Sequence, residues 1–167
     1  MTKNKITFDP IGVIHTPFKE TAGMPIQPAG AHGVKGTVEI FLEFSDGLQD
    51  IEGFSHIILI FHFNRAEGFK LKVSPFLENE VHGVFAVRAP KRPNAIGISI
   101  VKLLKRENNI IHIDNPDMLD GTPLLDIKPY IPDFDAYPNA VAGWQEKYKG
   151  KVRKHKSDDR FTNKSRN

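Results

Sequence analysis

Six or seven short strands and few helices are what this 167-residue sequence predicts: a mainly all-β fold, closed as a barrel or stacked as a sandwich. Three stretches carry that reading. Gly36 to Phe44, GTVEIFLEF, alternates Val38, Ile40, Leu42 and Phe44 with Glu39, Phe41 and Glu43, the period of a half-buried strand. His56 to Phe63, HIILIFHF, is almost continuously apolar and short for a helix, so it reads as a fully buried strand. Glu107-Asn108-Asn109 is a turn signal between two β-like runs, Ile98 to Arg106 and Ile110 to Asp114, which predicts a hairpin.

The remaining elements follow in chain order. Lys5 to Phe18, KITFDPIGVIHTPF, is an extended segment interrupted at Pro10 and ended at Pro17. Residues 19–36 are rich in Gly, Pro and Ala without periodicity, a loop long enough to carry function. Ser45-Asp46 offers a cap for a turn or two of helix from Gly47 to Ile51. Asn64 to Lys72 is a polar connector, and Val81 to Val87 reads as a further strand. Asp114 to Tyr130, DNPDMLDGTPLLDIKPY, holds three prolines, each of which fixes φ and removes a donor; it is a shaped loop feeding the apolar run Leu124 to Ile127. Ala140 to Lys149 predicts a short helix, weakened by Gly143, and little order is expected beyond Gly150. The domain expectation is therefore a barrel over residues 1–140, then a short helix and basic flexible tail over 141–167.

Composition excludes several functions. There is no Cys, hence no disulfide, thiolate nucleophile or Cys-ligated zinc. No window approaches the ~18 apolar residues of a membrane span, and MTKNKITFDP lacks a signal-peptide core, so a cytoplasmic protein without membrane attachment is expected. Residues 1–144 carry a net charge of −3 and residues 145–167 a net of +6. A basic tail on an acidic body suits an anionic partner such as nucleic acid, or simply a solvated terminus.

No two glycines stand at i and i+2, so neither a dinucleotide turn nor the usual Gly-rich methyltransferase loop is present. DNPDMLDG departs from a calcium loop in its Asp spacing and its missing Glu. His56 and His62 share a strand face without a third ligand, and no metal is expected.

Two stiff loops of opposite charge remain. In Arg88 to Ser99, RAPKRPNAIGIS, prolines hold Arg88, Lys91 and Arg92 where guanidinium forks could meet phosphate or carboxylate, or the acidic loop itself. In the acidic loop, Asp120-Gly121-Thr122 reads as a tight turn whose carboxylate could accept ribose hydroxyls, a cation or a proton. Asp126 and Lys128 fall on one strand face and read most simply as a surface ion pair. The two loops are expected to line one site.

In these pieces the chain resembles the TsaA-like family, also called the TrmO or YaeB-like family, of S-adenosylmethionine-dependent tRNA methyltransferases. The resemblance lies in IGVIHTPF (11–18), Pro25-Ile26-Gln27, GTVEIF with GLQDIEGFSHIILIFHF (36–63), GVFAVRAPKRPNAIGISIVKL (83–103) and DMLDGTPLLDIKPYIP (117–132), in family order. R-x-P-x-R-P-N-x-I-G together with D-G-T-P-x-L-D-I-K-P-Y is highly specific. The resemblance implies a β-barrel methyltransferase outside the Rossmann class, working as a homodimer. Its implied reaction is methylation of N6 of N6-threonylcarbamoyladenosine at tRNA position 37, beside the anticodon.

On matched positions the resemblance implies an S-adenosyl-L-methionine site of Pro25, Ile26, Gln27, His62, Phe63, Arg88, Ile98 (through its backbone), Asp120, Gly121, Thr122 and Pro123. Asp120 or a nearby His is the candidate proton acceptor. Lys91, Arg92 and the tail are the candidate tRNA contacts, with binding that should weaken as salt rises. Bacterial members carry an additional C-terminal domain where this sequence has a short basic tail. The alternatives are a non-catalytic dimeric barrel binding S-adenosylmethionine, a nucleoside-like ligand or RNA, and a metal-dependent hydrolase using the Asp cluster.

Overall fold

The computed structural model describes residues 4–21, 24, 31, 33–75 and 79–148. Pro25, Ile26, Gln27 and the basic tail lie outside these residues. Among the described residues eight strands form: β1 (Gly12–His15), β2 (Lys35–Ile40), β3 (His56–His62), β4 (Lys72–Val73), β5 (His82–Gly83), β6 (Ile96–Glu107), β7 (Ile110–Asp114) and β8 (Thr122–Pro129). Six close into an antiparallel barrel in the order β1-β2-β7-β6-β3-β8, and β4 pairs with β5 in a separate two-stranded sheet. The barrel, not the sandwich, is the architecture.

Alternation decides which side chains fill it. Ile14, Val38, Ile40, Ile57, Leu59, Phe61, Val101, Leu103, Ile111, Ile113 and Leu124 point inward and form one core. Burying each such side chain contributes about 1.5–3 kcal/mol. Closure needs curvature, and two register shifts supply it: between Ile60 and Phe61 of β3 against β8, and between Leu103 and Lys105 of β6 against β7. Glycine admits the closest strand approach, since a Cβ at Gly12 would stand 2.2 Å from the Glu39 carbonyl oxygen. Pro123 fits within β8 because it pairs with Val13 of β1, while the β3 ladder ends at Leu124.

The antiparallel order gives the barrel two distinct ends. One end holds the two-residue β6–β7 hairpin, in which Asn108 takes a φ of 55°, and the segment 41–55, whose Leu48 closes the core. The other end gathers the exits of β1, β3 and β7 and the entries of β2, β6 and β8, and there Met118 of the acidic loop plugs the core. Every described site residue belongs to this second end or to the strands that enter it.

Several elements differ from expectation. The strand beginning at Gly36 stops at Ile40; Leu42–Leu48 and Ile51–Gly53 are 3-10 turns, and Leu42 and Phe44 are exposed. Asn109 explains the stop, its Nδ2 donating to the Ile40 carbonyl at 2.7 Å where β2 would otherwise continue. Ser45 turns back to the Leu42 carbonyl at 2.8 Å and so caps no helix from Gly47. β3 is buried on one face only, with Ile58 and Ile60 facing outward. Of Val81 to Val87, only His82–Gly83 is strand, followed by a 3-10 turn, Val84–Ala86. The polar connector ends in β4, its partner. β8 covers eight residues, longer than the run Leu124 to Ile127. In place of a helix from Ala140, a four-residue α1 (Pro132–Asp135) and a 3-10 turn, Gly143–Tyr148, form. That last turn packs Trp144 onto a small cluster of Val73, Val87 and Ala89, with its Nε1 donating to the Ala86 carbonyl at 2.8 Å.

Candidate functional site

At the barrel end the chain leaving β1 is bound to the acidic loop. Thr16 is buried, and its hydroxyl donates to the Met118 carbonyl at 2.9 Å while accepting the Phe18 amide at 3.2 Å. The Thr16 amide donates to Asp120 Oδ1 at 3.1 Å, and the Asp120 amide donates to the Phe18 carbonyl at 2.8 Å. Lys19 donates to the other carboxylate oxygen of Asp120. His15 stands between two carboxylates, its Nδ1 3.6 Å from Asp120 Oδ1 and its Nε2 3.5 Å from Glu39 Oε2. Arg65, just after β3, donates to the Lys19 carbonyl at 2.8 Å and to the Asp120 carbonyl at 3.3 Å. Gly121 turns the chain at φ +74°, its amide donating to Ile14, and the Thr122 hydroxyl donates to Leu119 at 2.6 Å.

This geometry changes the reading of Asp120. The Lys19 hydrogen bond first, then the Thr16 amide, hold its carboxyl below the ordinary value. Both oxygens are engaged, and a carboxylate so stabilised is a poor proton acceptor. Asp120 anchors the 16–20 segment through Thr16, Phe18 and Lys19.

Its neighbour Asp117 is the opposite case. Burial pushes its carboxyl up to about 6, against the Ser99 hydrogen bond, its own backbone amide and the charge of Arg88, all of which favour the ionised form. Ser99, buried on the inner face of β6, donates to Asp117 Oδ1 at 2.5 Å. Among the described residues β7 pairs with β6 only from Lys102 to Glu107, and residues 96–101 of β6 are paired on the β3 side alone. The acidic loop sits beside this unpaired edge, and the Ser99–Asp117 bond joins the two.

The other expected residues fall as follows. Arg88 is exposed, and its charge favours the ionised form of Asp117; the contact between the two charged stretches is the Ser99–Asp117 hydrogen bond. Ile98 lies on the one-sided part of β6, backbone-paired with Ile60 and with its side chain outward. His62 ends β3 exposed, and the Phe63 amide donates to the Ala95 carbonyl at 2.8 Å. The Phe63 ring meets Phe61 edge-on at 5.2 Å. Both rings crowd Gly97, whose Cβ would lie 2.3 Å from Phe61 and 2.8 Å from Phe63. Pro123 is half-buried in β8. Through Nη1 the Arg92 guanidinium turns back onto its own loop, toward the carbonyls of Val87 and Ala89. Lys128 and Asp126 form the expected surface pair at 2.9 Å. Among the described residues no three His, Asp or Glu side chains group to hold a metal ion.

Thr16, Lys19, Arg65 and Ser99 were not among the expected site residues. Thr16 was visible within IGVIHTPF, but nothing local distinguishes Lys19 or Arg65 from ordinary surface cations.

A closed antiparallel barrel whose one rim is built from stiff, oppositely charged loops, without a Gly-rich nucleotide turn, defines a compact class outside the Rossmann folds. The chain belongs to the tRNA-methyltransferase O family, whose N-terminal domain matches residues 13–136. A protein of Pyrococcus abyssi, described as a probable S-adenosyl-L-methionine-binding protein, is 57% identical over 156 residues, covering 93% of this chain and 85% of that one. A Mus musculus tRNA (adenine(37)-N6)-methyltransferase is 40% identical over 138 residues, covering 78% of this chain but 32% of that protein. The crystal structure of TrmO from Pseudomonas aeruginosa matches with a TM-score of 0.72 at 38% identity, over 84% of this chain and 63% of that chain.

Proposed function

We propose that this chain is an S-adenosyl-L-methionine-dependent tRNA methyltransferase that methylates N6 of adenine 37, with N6-threonylcarbamoyladenosine as the form it accepts. The observation that carries this reading is the Ser99–Asp117 hydrogen bond, which joins the 88–99 stretch to the acidic loop beside the one-sided edge of β6. The donor set fits the cofactor: an exposed guanidinium for a carboxylate, an open backbone edge for a purine, and the half-buried Phe63 ring for an apolar face. When bound, the cofactor supplies a sulfonium methyl group. The chain's own work is positioning, and alignment of nucleophile with that methyl provides most of the acceleration. Lys91 remains the candidate phosphate contact of the loop.

The test is transfer of labelled methyl to tRNA with and without the threonylcarbamoyl group. Label is expected on the modified tRNA; equal labelling of both, or none, overturns the substrate assignment. In calorimetry Arg88→Ala should weaken cofactor binding about tenfold or more, the cost of one charge-assisted contact. Unchanged affinity would remove Arg88 from the site. The name of the Pyrococcus relative favours a second reading, a binding protein without transfer, which the same labelling experiment decides.

We further propose that the chain works as a homodimer. Ile96, Ile98 and Ile100 are 40%, 53% and 43% exposed along the outer face of β6, beside Ile58 and Ile60 of β3. A contiguous row of this kind suits a second copy of itself. Ile100→Glu should give monomers in sedimentation equilibrium where the unsubstituted chain gives dimers. A monomeric unsubstituted chain at micromolar concentration would sink this proposal.

A further inference from the structure

We propose that Asp117 accepts the proton that N6 of the target adenine loses on methylation, and that Ser99 is the residue that positions it. The inference rests on the methyltransferase reading above and adds to it the identity of the base.

Asp117 and Asp120 lie three residues apart in one loop, yet their surroundings differ in kind. Asp120 is ringed by donors: Lys19, the Thr16 amide and, at longer range, His15. Asp117 is half-buried at the end of the acidic loop that Ser99 ties to the one-sided edge of β6, with one hydroxyl donor on Oδ1 and its own amide. Two carboxylates whose environments drive them apart divide the roles of fixed charge and proton acceptor. Asp120 remains ionised and structural. Asp117, at about 6, is ionised at neutral pH yet basic enough to take a proton.

The reaction needs such a group. The N6 lone pair is delocalised into the ring, so attack on carbon is coupled to loss of the N6 proton. Methylation forms the N6–carbon bond as the carbon–sulfur bond breaks, its electron pair leaving with sulfur, which becomes a neutral thioether. The N6–H bond breaks toward the Asp117 carboxylate, its electron pair remaining on nitrogen, and the carboxylic acid later releases the proton to solvent. The groups acting on Asp117 are Ser99 from β6 and Arg88 from the loop before it. His15 and Lys19 are directed at the Asp120 carboxylate and Arg65 at the Asp120 carbonyl.

The signs of the tests follow. The ionised form is the active one, so kcat should fall as pH drops through about 6. Ser99 stabilises the ionised form; Ser99→Ala should therefore move this limb to higher pH, lowering kcat at pH 6.5 and sparing it at pH 8.5. Asp117→Asn should reduce kcat about 10²-fold or more and abolish the limb, with cofactor affinity in calorimetry unchanged. A carboxyl ¹³C titration of the cofactor-free chain should show the Asp117 midpoint near 6, rising in Ser99→Ala. Should Asp117→Asn fail to fold, the Ser99→Ala shift decides. An Asp117→Asn chain that retains kcat and its acidic limb, or a limb unmoved by Ser99→Ala, overturns the proposal alone. An unsubstituted chain that transfers no methyl at any pH overturns the methyltransferase reading, and this proposal with it.

Discussion

Gly12→Ala is expected to lower the melting temperature by about 6–12 °C, the effect of roughly 3 kcal/mol on a domain of this size. The new Cβ would meet the Glu39 carbonyl oxygen at 2.2 Å, its carbon at 3.1 Å and the Ile40 Cα at 3.1 Å. These are backbone atoms of the next strand, and no rotamer change moves them aside. Gly12 is also paired on both sides, to Ile40 of β2 and Leu124 of β8, so relief on one side strains the other. Overpacking of side chains typically costs about 1–3 kcal/mol; a clash with a fixed ladder belongs at or above the top of that range. A thermal melt within about 2 °C of the unsubstituted chain would show that the seam yields more easily than its geometry indicates.

The second large effect joins fold to site. Gly97→Ala would place a Cβ 2.3 and 2.5 Å from two atoms of the Phe61 ring and 2.8 Å from Phe63. Phe61 is a buried core residue and can give little, so Phe63 must swing away from the rim. A loss of about 1–3 kcal/mol in stability is expected, together with weakened cofactor binding. Gly83→Ala is the control, since nothing lies within 4 Å of a Cβ there and its backbone is ordinary extended. Gly97→Ala with unaltered cofactor affinity would separate Phe63 from the site.

How far the sequence reveals this protein depends on how local each signal is. The alternation at Val38 and Ile40 is local, and the strand is there; Leu42 and Phe44 continue it, but the Asn109 side chain ends the strand from 69 residues away. HIILIFHF is apolar on both faces, so pattern alone could not reveal that Ile58 and Ile60 face outward. VHGVFAV has strand composition, but β5 has only the two-residue β4 to pair with, and its chain turns at Val84. The meeting of the two charged loops was legible because prolines stiffen both and their charges are opposite. What each side chain does within that meeting was not. Ser99 and Asp117 are 18 residues apart on different elements, and the roles of Asp117 and Asp120 are divided by burial and by Lys19, which only the fold supplies. Arg92 carries the same charge as Arg88, yet carbonyls of its own loop take its guanidinium.

The barrel's closure has a consequence for how the protein is made. β1 is completed only by β8, and Thr16 reaches Asp120 across 104 residues of chain. Contacts of such separation form slowly, because the loop between them must be closed before they are rewarded. During synthesis the first strand therefore waits with one edge unpaired until nearly the whole barrel has left the ribosome. The rim loops take up their joint arrangement in that same late event. A nascent chain stopped short of β8 would hold most of the core residues and an open strand edge, the form in which β proteins associate with one another rather than fold.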